Sequence, residues 1–175
     1  MTPHVPKRVV FDLTQRVDDI QIRECTVRPP SKLSRDAVQR YLDKPACDSA
    51  VPLCEMTIRC DRLHDWELTV TSRDGGPVRC RDVFEQLHAW FDERASAADR
   101  RKWLTHETLK RANAALVARC ASSRRMVEGA ERTHGMRRVD MLMGEHFFRG
   151  LRRPSGVEER PTKYWVVEFG PSPMA

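Results

Sequence analysis

Three stretches of the chain alternate apolar and polar side chains with period two, and a segment between the second and third switches to the period of a helix. Cys54, Met56, Ile58 and Cys60 alternate with Glu55, Thr57 and Arg59. Trp66, Leu68 and Val70 alternate with Glu67, Thr69 and Thr71, and Trp165, Val167 and Phe169 with Tyr164, Val166 and Glu168. Successive side chains of a strand point to opposite faces, so each run reads as a strand with one buried and one wet face. Over residues 81–93, Val83, Leu87, Trp90 and Phe91 recur at helical spacing, with Asp82 at the end where a helix dipole favours negative charge. A sheet with a wet face argues against a doubly wound parallel sheet. The expectation is an α+β fold: an antiparallel or mixed sheet of four or five strands, with two main helices, 81–93 and 105–133, packed on one face.

Weaker signals fill in the rest. Val9, Phe11 and Leu13 suggest a short first strand, and residues 34–43 a short helix with Val38, Tyr41 and Leu42 on one side. The 105–133 helix would keep Leu109, Leu116, Cys120 and Val127 on one face and stop at Gly135. If continuous it would run about 43 Å, with Ser122-Ser123 and Gly129 as its weak points. Val139, Met141 and Met143 suggest a further strand, and residues 144–151 a compact turn closed by Gly150. The chain of 175 residues, 40% hydrophobic, is long enough to bury a core without staples. Residues 7–170 are expected to form one globular domain, with tails at 1–6 and 171–175 that fray.

The first residues lack an apolar run of signal-peptide length, and nothing approaches the roughly 18 apolar residues of a membrane span. A soluble, intracellular location, cytoplasmic or nuclear, with no membrane contact, is the expectation. Thiols there stay reduced, so Cys25, Cys47, Cys54, Cys60, Cys80 and Cys120 read as free.

WELTV, a glycine turn, VRCRDVFEQL, a long Arg-containing helix, then RRVDML, FFRGL and KYWVVEFG follow one another in a fixed order. This order over residues 50–170 resembles an uncharacterised domain family abundant in mushroom-forming fungi. Arg138-Val139-Asp140 followed by Phe148-Arg149-Gly150-Leu151 carries most of the likeness. The resemblance implies a fold and no assigned activity. It also implies Thr in relatives where this chain has Arg79, and an aliphatic residue where it has Cys80, which makes Cys80 a substitute packing residue.

Candidate chemistry is sparse. Cys54, Cys60 and His64 lie within eleven residues, but the C-x5-C-x3-H spacing has no partner knuckle of the kind structural zinc requires. Cys54 and Cys60 share the apolar face of a strand and read as packing residues. Cys80, at a helix start between Arg79 and Arg81, has the setting that lowers a thiol pKa, although His88 is too far along the helix to be its base. Asp140 has His134 and His146 nearby in sequence, yet the adjacent Arg137 and Arg138 make a structural ion pair the simpler reading. Phosphate-loop, dinucleotide, metalloprotease and nucleophile-elbow motifs are absent. No catalytic residue, cofactor or metal site is assigned, and an enzyme centred on Cys80 or Asp140 ranks third among the readings.

The clearest functional signal is charge. Residues 99–138 hold eleven Lys or Arg against four Asp or Glu, while the rest of the chain holds twenty against twenty-one. Arg100, Arg101, Lys102, Arg111, Arg119, Arg124 and Arg125 are the candidate contacts for an anion or nucleic acid. Measured from Leu109 at 100° per residue, Lys110 falls near +100°, Arg111 near 200° and Arg119 near −80°, so these three form no stripe. A non-enzymatic protein-binding or scaffold domain with an unknown protein partner is therefore the leading reading, with weak nucleic-acid or phosphate binding as its alternative. The aromatic residues Phe147, Phe148 and Tyr164 are candidates for the partner surface. The sequence is silent on oligomeric state.

Overall fold

Alternating residues need a partner strand on each side, and the computed structural model shows where each finds one. It describes residues 7–24, 31–47, 51–63, 65–122, 129, 132–154 and 164–172. The strands are β1 (Lys7–Asp12), β2 (Gln21–Glu24), β3 (Ser31–Lys32), β4 (Glu55–Arg59), β5 (Glu67–Thr71), β6 (Phe147–Arg152) and β7 (Tyr164–Gly170). The helices are α1 (Arg35–Leu42), α2 (Cys80–Asp92), α3 (Ala97–Trp103) and α4 (His106–Ser122), with 3-10 turns at Val17–Asp19 and Arg138–Leu142. The fold is α+β, and the sheet is mixed, in the order β3-β2-β1-β6-β7-β4-β5. All pairings are antiparallel except β4 with β7. The seven strands among the described residues exceed the expected four or five, because β2, the two-residue β3 and β6 were not foreseen.

β7 is central. It runs antiparallel to β6 on one side and parallel to β4 on the other. Its inner residues Val167 and Phe169 are buried beside Met56 and Ile58 of β4 and Val70 of β5. The outer face carries charge, although Val166 of β7 is buried there. Arg59 pairs with Glu67 at 2.7 Å and Arg152 with Glu168 at 2.8 Å, and the Arg59 guanidinium lies 4.2 Å from the Tyr164 ring centre.

α2 covers the inner face. Its Phe84 meets Phe11 of β1 and Phe148 of β6 edge-on at 5.3 and 5.0 Å, and its Phe91 meets Phe169 of β7 at 5.3 Å. Such T-shaped pairs add about 0.5–1.5 kcal/mol each beyond the area they bury. Trp90 packs on Trp66 at 4.9 Å. From the same helix, the Gln86 amide accepts from the Thr71 N–H at 3.2 Å and donates to the Thr71 carbonyl at 2.7 Å. One side chain thus satisfies the backbone of edge strand β5 where a further strand would otherwise pair.

Several expectations change. α4 does not share α2's seat on the sheet: its main packing is against the Arg138–Leu142 turn. Only Ala112 and Cys120 of α4 are buried, Leu109 and Leu116 being half-buried. The 105–133 helix is described as far as Ser122; Arg132–His134 are helical again before Gly135, which has φ +78°, and Val127 lies outside the described residues. The segment read as a strand at Val139–Met143 is a 3-10 turn with Val139, Asp140, Met141 and Leu142 all buried. Burial on every side, not alternation, explains its composition. Residues 144–151 are not one turn: Met143 and Gly144 turn at φ 56° and 85°, and β6 follows. Gly150 lies at a bulge in β6, at φ +154°. Cys60 is buried as expected, but Cys54 is exposed, because it precedes the paired length of β4.

Candidate functional site

An aspartate at the third position of a helical turn can accept from the backbone N–H of the residue before the turn, satisfying a donor the helix leaves free. Three turns use this device. Asp82 accepts from Arg79 N at 2.8 Å, Asp99 from Ser96 N at 2.9 Å, and Asp140 from Arg137 N at 2.9 Å. Only the Ser96 turn completes the exchange, its hydroxyl accepting from Asp99 N at 3.0 Å. An Arg side chain has no acceptor to offer in return. The position where Arg79 stands is therefore half a capping box.

Asp140 does more. Its carboxylate receives Arg119 from α4 through two parallel bonds of 2.9 Å, and the pair is 2% and 8% exposed. Arg119 also donates to the Gly135 carbonyl at 3.3 Å. The expected ion pair at Asp140 exists, but its cation is Arg119 and not Arg137 or Arg138. Arg137 reaches Asp92, while Arg138 reaches Glu93 at 2.5 Å and Asp99 at 3.3 Å, its guanidinium 4.3 Å from the Trp90 ring centre. Burial works against ionisation of Asp99, but the Ser96 backbone and hydroxyl together with Arg138 outweigh it and hold the carboxyl below its usual range. His146 pairs with Asp12 at 3.4 Å and does not join Asp140. Asp140 is committed to holding α4 on its neighbouring turn.

Cys80 opens α2 as expected, but the flanking arginines are engaged elsewhere. Arg79 pairs with Asp74 at 2.8 Å, and Arg81 reaches Gln39 and Asp43. Burial pushes the Cys80 thiol up, and the thiol lies 3.8 Å from the Pro45 carbonyl. His88 is turned to the Leu13 carbonyl at 3.0 Å. The local setting thus protects the thiol form, opposite to what the two arginines suggest in sequence. Cys47, Cys54, Cys60, Cys80 and Cys120 are all free. No group of three His, Cys, Asp or Glu side chains able to hold a metal ion occurs among the described residues, and His64 and Cys25 lie outside them.

The seven candidate anion contacts separate. Arg119 has its guanidinium committed to Asp140, with 8% of the side chain exposed, a consequence of a partner 21 positions away. Arg124 and Arg125 lie outside the described residues. Arg100 and Arg101 line one open cleft of about 510 Å³ between α3 and α4, together with Leu104, His106, Leu109 and Asn113. Lys102 is exposed, with its ammonium 5.4 Å from the Trp103 ring centre. Arg111 is exposed on α4 and points about 200° around the helix from Leu109, away from the cleft. Sequence reasoning missed the cleft because α3 has no buried residue to reveal it. The Ser96-x-x-Asp99 capping box was the available signal. Of the proposed surface aromatics, Phe148 is buried, while Phe147 and Tyr164 are half-buried.

A model of a family of unknown function, DUF6699, matches residues 9–161. The chain belongs to that family. The match contains the Arg79–Asp82 and Arg137–Asp140 turns and the α3–α4 cleft, and stops before β7. Neither a curated protein nor a solved structure matches the chain. No described helix is long and apolar enough to cross a membrane. Membership in this family leaves the biochemical role to be argued from the surface.

Proposed function

We propose that residues 7–170 form one non-enzymatic domain that binds a partner protein, and that the α3–α4 cleft receives an acidic, apolar segment of it. The observation that carries this reading is the pairing of two exposed guanidinium groups, Arg100 and Arg101, with a floor containing Leu104 and Leu109. Neither arginine has an ion-pair partner among the described residues. Leucine side chains suit an apolar anchor, and Arg suits the carboxylates around it. A nucleic acid asks for cations arrayed along a backbone track. The loss of Arg119 to the interior and the divergence of Arg111 favour the protein partner.

Short peptides displayed as a random library against the immobilised domain test this directly. Enriched sequences should combine Asp or Glu with Leu or Phe, and Arg100→Glu with Arg101→Glu should abolish their capture. Enrichment without acidic residues, or capture indifferent to the double variant, overturns the reading. For a single-stranded oligonucleotide, affinity should be weak; tight binding that falls steeply with salt would establish the alternative.

A further inference from the structure

β1 and β6 pair only through Phe11 and Asp12 with Phe148 and Phe147. Beyond that point the strands part. Lys7–Val10 continue alongside β2, while Gly150–Arg152 continue alongside β7 after the bulge at Gly150. Val9 from one strand and Gly150 and Leu151 from the other line a cavity of about 360 Å³. Val83 and Phe84 of α2 and Trp165 of β7 complete its apolar wall. This volume lies at the small end of the range for small-molecule sites.

Two uncharged polar side chains enter the lining: the Tyr41 phenol from α1 and the Cys80 thiol from α2. The phenol has no hydrogen-bond partner among the described residues, so a donor stands unused at the wall. Burial raises the pKa of both groups, which keeps them protonated and able to donate at neutral pH. Among the described residues no lining side chain is a carboxylate. Arg149 lines the cavity too, with one of its guanidinium N–H groups donating to the Pro171 carbonyl. Two other cations stand near the wall. Lys44 is exposed, lines the neighbouring cleft with Pro45 and Cys47, and acts electrostatically on Cys80; the exposed Arg153 lies 5.3 Å from the centre of the Trp165 ring. An apolar wall with an unused phenol donor and nearby cations, and no carboxylate among the described residues, is complementary to a molecule with a hydrocarbon body and a negative head.

We propose that the cavity between β1, β6, α1 and α2 binds a small amphipathic carboxylic acid, its hydrocarbon body against Phe84, Leu151 and Trp165 and its carboxylate toward Tyr41 and Lys44. The site is separate from the α3–α4 cleft, so either assignment can fail without the other.

Decanoate and its uncharged counterpart decanol are suitable probes for the full chain. Cys80 modification by N-ethylmaleimide at pH 8 is read by peptide mass mapping, with exposed Cys54 as the internal control. Decanoate should slow labelling of Cys80 at least fivefold and leave Cys54 unchanged, and decanol should protect at least fivefold more weakly. Lys44→Glu should remove the advantage of decanoate over decanol, and Tyr41→Phe should weaken decanoate at least threefold. Because either variant could disturb α1, thermal unfolding is measured beside them, and the wild-type protection of Cys80 relative to Cys54 decides the proposal without any variant. Equal slowing of both cysteines, equal protection by decanol, or no protection at saturating decanoate overturns it.

Discussion

The Arg79–Asp82 and Arg137–Asp140 turns begin as the same object. Each places an Arg before the turn and buries an Asp at its third position, 4% and 2% exposed, to accept the Arg backbone N–H. Asp82 stops there, a local cap on the helix that covers the sheet. Asp140 also takes the fork of Arg119, so a local device becomes a bond between a 3-10 turn and α4. The sequence spells both as Arg-x-x-Asp. What separates them is a third residue, supplied by an element that touches one turn and not the other.

The largest expected effect comes from breaking the longer-range member. Asp140→Ala strands a buried guanidinium and should cost about 3–5 kcal/mol in urea unfolding. Replacing both partners, Asp140→Leu with Arg119→Met, should recover most of that loss, because two apolar side chains leave no orphan charge. A double variant as unstable as the single would show that the pair's value lies elsewhere. Asp82→Ala should cost about 1–2 kcal/mol, the usual worth of a cap. A loss as large as that of Asp140→Ala would erase the distinction between the turns.

The completed Ser96–Asp99 turn adds a pH test. The folded carboxyl of Asp99 is depressed, so its contribution is present above the unfolded value near 4 and is lost as pH falls through the folded value. Asp99→Asn should therefore reduce stability at pH 7 by less than about 1 kcal/mol and flatten the acid limb of stability against pH. An unchanged acid limb would remove Asp99 from the comparison. The smallest effect is a gain. Arg79→Ser restores the missing acceptor and should stabilise by about 0.5–1 kcal/mol. The exposed Arg79–Asp74 pair it removes subtracts only a few tenths. No gain would mean that the Asp82 N–H is already well served by water.

These turns also explain what could be read from the residues in advance. β4, β5 and α2 were legible because each has one dry and one wet side, which writes its period into the sequence; β7 was legible from its apolar alternation although Val166 on its outer face is buried as well. The 139–143 segment misled because its alternation is accidental: the intervening Asp140 is as buried as its apolar neighbours. β6 was hidden by the bulge at Gly150, which breaks the alternation midway. At the surface, helical angles set Arg111 about 200° from Leu109, and the structure leaves it exposed. They could not foresee that Arg119 is withdrawn from solvent, since that depends on the path of the chain between α4 and Asp140. The cavity beside Cys80 was illegible for the same reason. Its walls come from β1, α1, α2, β6 and β7, and only the parting of two strands brings them around a shared space.

β7 enters the sheet between β6 and β4 although it follows both along the chain. A nascent polypeptide must therefore keep two half-sheets apart, with Met56, Ile58 and Phe148 lacking their central cover, until the closing strand leaves the ribosomal tunnel. Productive folding should thus complete only once β7 has emerged, and chains stalled before Tyr164 should remain protease-sensitive; protection of such stalled chains would show that the halves close without it.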